Sequence, residues 1–140
     1  MGALQRRKGQ VYERRLAKCL REVMPGADIA RGLQSQGERV PDVDVLGLWI
    51  EAKNARAVTL DSALDQAIAA AEGTGRIPIA IVHRPGSRYA QDQAHLLLSD
   101  FLELAGLDQC GEANIDSIRL TTTLDRLLLL IGRWWVRSTY

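Results

Sequence analysis

A single α/β domain, with a central mixed β-sheet flanked by helices, is the fold class that the sequence predicts. Three observations carry it. The chain has 140 residues, enough for one hydrophobic core. Its 46% hydrophobic and 25% charged residues match an ordinary globular protein and exclude a disordered or fibrous one. The apolar period also switches along the chain between three-to-four and two. The elements read helix, strand, strand, helix, strand, strand, helix.

The first helix is expected from Gln5 to Met24, where Tyr12, Leu16, Cys19, Leu20 and Val23 form an apolar stripe and Pro25-Gly26 ends it. A short extended piece, Asp28 to Arg31, precedes a polar loop from Gly32 to Arg39. Val40 to Val45 and Leu48 to Lys53 read as two strands joined by a two-residue turn, Leu46-Gly47. A second helix is expected over Leu60 to Glu72, with Thr59 or Asp61 as its cap, Gly73 at its end and an inner stripe of Leu64, Ala67, Ile68 and Ala71. Ile77 to Arg84 is an apolar run of strand length, rich in β-branched residues. The segment from Ala94 to Gly106 reads as a strand followed by a short helix starting at Ser99 or Asp100. The core is expected over about residues 6–105. The apolar segment 112–140 has three open roles: completing the sheet, covering the core, or dimerisation. Trp134 and Trp135 fit packing better than a stacking platform for bases.

Net charge is only +1, so global charge names no partner. Its distribution is more informative: residues 1–21 carry seven basic side chains against one acid, Glu13. Such a stripe suits either a polyanion or solvent. Cys19 and Cys110 lie far apart without metal-ligand spacing, so no disulfide framework or zinc site is expected, and Cys19 is assigned to the core. The basic N-terminus lacks an apolar stretch of the secretory type, and the longest apolar run, Leu127 to Ile131, is far below the ~20 residues that span a bilayer. A cytoplasmic location is expected, that of the host if the protein is phage-encoded.

The central hairpin poses a chemical problem. A two-residue turn sets Val45 opposite Leu48, Asp44 opposite Trp49 and Asp42 opposite Glu51. Opposed residues project to one side, and period two adds Lys53 to Glu51. Asp42, Asp44, Glu51 and Lys53 therefore share one face, and Val43, Val45, Leu48, Ile50 and Ala52 take the inner one. Carboxylates facing each other repel unless a proton, a basic side chain or a divalent cation intervenes. Lys53 offsets one charge. A hard cation, Mg²⁺ or Mn²⁺, offsets the remainder, because it takes a few carboxylates and keeps waters for a phosphate substrate. Such a metal, with a lysine beside it to hold or deprotonate water, suits hydrolysis of a phosphodiester.

Pro41-Asp42 followed by Glu51-Ala52-Lys53 resembles the PD-(D/E)xK motif of metal-dependent nucleases. The motif lies on a predicted hairpin. A basic helix bearing Glu13 precedes it, and a helix bearing Gln66 and a strand ending in His83-Arg84 follow. This order is similar to that of the archaeal Holliday-junction resolvases and the small resolvase-like endonucleases of bacteriophages, over roughly Arg6 to Phe101. The resemblance implies a restriction-endonuclease-like core acting on DNA four-way junctions as a homodimer. It implies Asp42, Glu51 and the Ala52 carbonyl as metal ligands, with Asp44 as a competing candidate. Lys53 would position or activate water, Glu13 would reach the metal through water, and Gln66 would support the site. The loop residues Gln34, Ser35 and Gln36 would contact the DNA backbone, with Arg6, Arg7, Lys8, Arg14, Arg31, His83 and Arg84 as further DNA-binding positions.

Other readings stay open. Within enzymes, the chain could be a nickase or repair nuclease for flaps and other branched DNA; from another class, a non-catalytic DNA-binding module. At the residue level, Asp42, Glu51 and Lys53 could form a solvent-facing salt bridge. Glu13 could pair with basic neighbours on its own helix, and His83 could be structural.

Overall fold

The computed structural model describes residues 2–32, 40–107 and 117–139. Its centre is the hairpin of β2 (Val43–Val45) and β3 (Leu48–Asn54). Val45 pairs with Leu48, Asp44 with Trp49 and Val43 with Ile50, the register that the alternation predicts. Gly47 has a φ of 81°, whereas among the described residues no non-glycine residue has a positive φ; the turn therefore has the left-handed second position of a type II turn.

Around this hairpin the fold is α/β: one open six-stranded mixed sheet in the order β1-β2-β3-β4-β5-β6, flanked by helices. Helix α1 (Ala3–Val23) leads into β1 (Ile29–Arg31), which pairs antiparallel with β2. Helix α2 (Leu60–Ala71) connects β3 to β4 (Ile77–His83), which pair in parallel. Strand β5 (Gln93–Leu97), helix α3 (Leu98–Ala105), strand β6 (Arg119–Thr123) and helix α4 (Leu124–Thr139) complete the chain. Thr59 caps α2 by accepting the Ser62 N–H at 3.1 Å, and α3 ends at Gly106 in the left-handed conformation. Among the described residues, no helix is long and apolar enough to cross a membrane.

The sheet separates two cores. On one side Val43, Val45, Leu48, Ile50, Ile79, Ile81 and Leu96 pack against Tyr12, Leu16 and Leu20 of α1, Leu104 of α3, and Leu124, Leu127 and Ile131 of α4. On the other, Trp49, Ala80 and Val82 meet Ala63, Leu64, Ala67 and Ala71 of α2. A polar cluster also holds the start of α2 over the sheet. Asp61 meets His95 Nε2 at 3.0 Å and Arg119 at 3.2 Å, and Arg119 also pairs with Asp65.

The core extends past residue 105. β6 completes the sheet, and α4 covers it with three buried side chains, Leu124, Leu127 and Ile131, at three- and four-residue spacing. Both tryptophans of α4 pack inside the chain: the Trp135 indole N–H donates to the Pro25 carbonyl at 3.1 Å, and Trp134 lies against Gly47. Residues 112–116 of the apolar C-terminal segment lie outside the described residues. Cys19, assigned to the core from its spacing, is only half-buried, because Tyr12, Leu16, Ala17 and Leu20 supply the inner face of α1.

Gly47 is constrained twice. Its φ disfavours an L side chain, and a Cβ there would lie 2.9 Å from the Trp134 ring. Gly9, inside α1, has open space around its Cβ position. Gly47→Ala is expected to lower stability by about 1–3 kcal/mol. Gly9→Ala is expected to raise it by about 0.5–1 kcal/mol. Urea denaturation midpoints at unchanged m-value check both.

Candidate active site

Strand β2 is shorter than β3, and this mismatch builds the site. The last backbone bond between them runs from the Asp42 N–H to the Ile50 carbonyl at 2.9 Å. Two residues further along β3, the Ala52 N–H points to the same edge, where no β2 residue meets it. The Asp42 carboxylate takes that role, its Oδ2 accepting the Ala52 N–H at 2.8 Å. On its other flank the Asp42 carbonyl accepts the Gly32 N–H at 2.9 Å, and Gly32 lies so close to Pro41 that a Cβ would fall 1.8 Å from its carbonyl oxygen. Backbone and side chain of Asp42 are thus fixed from both neighbouring strands.

Asp42 is thereby directed at Glu51. Glu51 is only 6% exposed, and its Oε1 accepts the Trp49 indole N–H at 3.0 Å. Burial, then the facing Asp42 carboxylate, pushes the Glu51 pKa up to about 7, against the opposing pull of the Trp49 hydrogen bond and the Lys53 ammonium. Lys53 is half-buried two residues along the same strand face. Glu13 approaches Asp42 from α1. Burial and the Asp42 charge raise its pKa, and Arg31 opposes this through an ion pair at 3.5 Å. Asp42 is the shared neighbour of both glutamates.

The structure therefore brings Glu13, Asp42, Glu51 and Lys53 into one neighbourhood. Asp44 is drawn elsewhere: it is 54% exposed and paired at 2.9 Å with Arg76, whose guanidinium lies 5.9 Å from the Trp49 ring centroid. Gln66 is exposed on α2, because Ala63, Leu64, Ala67 and Ala71 form that helix's inner stripe. Among the described residues, no hydrogen bond joins it to the carboxylates.

Several positions expected to meet DNA are engaged within the fold. Arg31 pairs with Glu13. Arg84 donates to the carbonyls of Ala55, Arg56 and Val58 and pins the segment between β3 and α2. His83 is buried, its Nδ1 lying 2.6 Å from Asp92 Oδ1, while the Tyr12 hydroxyl donates to Asp92 Oδ2 at 2.6 Å. Its ring stacks on Tyr89 at 4.4 Å, and Arg15 covers the Tyr89 ring at 3.9 Å. Burial and the Asp92 carboxylate hold the Tyr12 phenol well above its ordinary range. By contrast, Arg6, Arg7, Lys8 and Arg14 are exposed on α1. Gln34, Ser35 and Gln36 lie outside the described residues.

The donor set fits a hard cation of the Mg²⁺ type. Asp42 and Glu51 offer two facing carboxylates. The Ala52 carbonyl projects to the same edge as its N–H, since both groups of a strand residue point one way. Among the described residues, no three His, Cys, Asp or Glu side chains converge tightly enough to form a closed cage. Mg²⁺ needs none, because it binds through one or two carboxylates and retains several waters. Comparisons with family models, curated proteins and solved structures gave no match.

Two site contributors escaped the sequence reading. Trp49, two residues before Glu51 on the same face, was findable by period two. Asp92 lies 80 residues from Tyr12, and no local pattern links them.

The Glu51 shift sets a pH dependence for the metal-free protein. The ordinary value is 4.5 and the folded one about 7, so between them the folded state holds a proton that the unfolded chain has released. Stability is expected to fall across that window as pH rises, by at most about 3 kcal/mol. In Glu51→Gln the Glu51 share of this slope should be lost, leaving that of Glu13, whose pKa is also raised, and the variant should be at least as stable as wild type at pH 8. Urea unfolding across the window, with chelator present, checks the sign.

Proposed function

We propose that this chain is a Mg²⁺- or Mn²⁺-dependent endonuclease of PD-(D/E)xK type with a restriction-endonuclease-like core, hydrolysing phosphodiester bonds in DNA. One observation carries the reading: the Asp42 and Glu51 carboxylates face each other beside Lys53, with Glu51 raised to about 7. A purely structural site has no use for a buried, repelling carboxylate pair. A four-way junction is the favoured substrate, since its two-fold symmetry requires two matched cuts and a C₂ homodimer supplies two sites in that relation.

Asp42 and Glu51 would hold the metal, with the Ala52 carbonyl as a further oxygen ligand and Glu13 acting through water. When bound, the metal neutralises the facing carboxylates, polarises a phosphoryl oxygen and makes water more acidic. The remaining work falls to the chain. The Asp42–Ala52 hydrogen bond and the Trp49 indole hold the two carboxylates in place, so they need not reorganise when a substrate arrives. Lys53 orients the attacking water and stabilises negative charge as the phosphorus–oxygen bond to the leaving strand breaks. The exposed Arg6, Arg7, Lys8 and Arg14 of α1 engage phosphates.

The deciding experiment incubates the protein with Mg²⁺ and labelled linear duplex, flap and four-way junction. Symmetric nicking of the junction is expected, with chelator abolishing it. Cleavage of flaps alone would make the enzyme a repair nuclease, and binding without cleavage of any substrate would leave a DNA-binding module. Asp42→Asn and Glu51→Gln should each abolish cleavage while preserving binding; wild-type rates in either variant would refute the site. Lys53→Ala should slow turnover by ~10²-fold or more, and Lys53→Arg should restore little of it.

The basic residues of α1 should affect binding instead of chemistry. A variant with Arg6, Arg7 and Lys8 changed to Ala should bind DNA more weakly, with a salt slope shallower by ~0.9 per lost duplex phosphate contact. At saturating DNA it should cut at a near-normal rate. An unchanged slope would return these residues to a solvated helix face.

A further inference from the structure

One residue beyond Lys53, period two turns Asn54 to the opposite side of the sheet. There it lines a cavity of about 520 Å³ between the start of α1 and the ends of β3 and β4. That volume is in the range of small-ligand sites. Arg7 and Lys8 stand at its rim, and among the described residues no carboxylate lines it, so an anionic group is favoured. Leu4 and Val11 add apolar wall, and both are largely exposed to solvent. The floor is rigid: His83 is fixed through Nδ1 by Asp92, which Tyr12 also holds, leaving Nε2 as the ring's other polar atom. Asn54 Oδ1 is buried without a hydrogen-bond partner, a rarity in folded proteins.

We propose that this cavity receives one unpaired nucleotide of the strand to be cut. The phosphate meets Arg7 and Lys8, the sugar and base lie against Leu4 and Val11, and an N–H on the base edge donates to Asn54 Oδ1. This rests on the endonuclease reading and deepens it. A nucleotide combines the anion, the flat apolar body and the donor edge that the cavity asks for, and Asn54 directly follows Lys53 in the chain. Branch points are also where a nucleotide leaves the stack most cheaply. The pocket would therefore favour branched over continuous duplex before any chemistry occurs.

The test measures binding of the full-length protein, in chelator, to a labelled blunt duplex and to the same duplex with a short single-stranded tail. Wild type should prefer the tailed probe. Asn54→Leu should reduce that preference by about tenfold, the scale of one hydrogen bond to a buried acceptor, and leave blunt-duplex affinity unchanged. Val11→Trp, at a position exposed on α1, should do the same by filling the mouth without changing charge. An unaltered preference, or equal losses on both probes, would overturn the pocket assignment. Cleavage assays with Mg²⁺ separate the two ideas. A wild-type enzyme that cuts junctions while both variants keep the tail preference refutes the pocket alone. Selective loss of tail binding in a protein that cuts nothing supports the pocket and refutes the nuclease reading.

Discussion

The hydrogen bond from the Ala52 N–H to the Asp42 carboxylate organises the site and much of what surrounds it. β3 runs on beside β4 as far as Asn54, while β2 begins pairing only at Val43. The exposed stretch of β3 edge would leave a backbone donor unmatched, at a cost of about 1–3 kcal/mol if buried. A carboxylate satisfies it with a charge-assisted bond, stronger than a neutral one. The same bond turns Asp42 toward Glu51, and that confrontation, added to burial, keeps Glu51 protonated to near neutrality. The charge also reaches Glu13 on α1. One local mismatch in strand length therefore adds the charge that both glutamates feel to the burial that is the larger cause of their shifts.

The rest of the fold isolates this repulsion. Three arginines near the site are tied to specific partners: Arg31 to Glu13, Arg76 to Asp44, and Arg84 to the three carbonyls between β3 and α2. Each neutralises an acid or fixes a loop, whereas Arg6, Arg7, Lys8 and Arg14 stand exposed on α1. Charges that stabilise the molecule and charges free to meet a partner are spatially distinct. Asp42 and Glu51 are the exception, held together against their mutual repulsion by backbone and indole donors. Local conflict of this kind is what functional sites carry when the surrounding fold can sustain it.

The turn and register of the hairpin were legible in the sequence because alternation fixes which residues face inward, and the glycine at position 47 fixes where the chain turns; the length of its first strand was not, since pairing expected from Val40 begins only at Val43. The α/β class and the caps of α2 were legible for the same local reasons. Alternation brought Asp42 to the same neighbourhood as Glu51, but the strand ladder ends at Val43 and Ile50, and the two carboxylates meet through the side-chain bond of Asp42 to the Ala52 N–H. Partnerships spanning the fold were not legible. A histidine–arginine pair at a strand end looks available to solvent, yet Asp92 arrives from the start of β5 to bury His83, and the loop carbonyls capture Arg84. Gln66 appeared to border an apolar stripe, but the inward-facing alanines on its helix rotate it outward. The helical spacing of Leu124, Leu127 and Ile131 was visible; their destination under the sheet depended on β6 delivering α4 there.

The contact between Gly32 and Asp42 has a further consequence. Just past the end of β1, the Gly32 N–H is bonded to the Asp42 carbonyl, and the Gly32 α-carbon packs on Pro41. A side chain at position 32 would strike the Pro41 carbonyl and push away the residue that precedes the carboxylate. Glycine at 32 therefore sets how closely the chain can draw up behind Asp42, and a single methyl group there would be felt at the carboxylate without touching it.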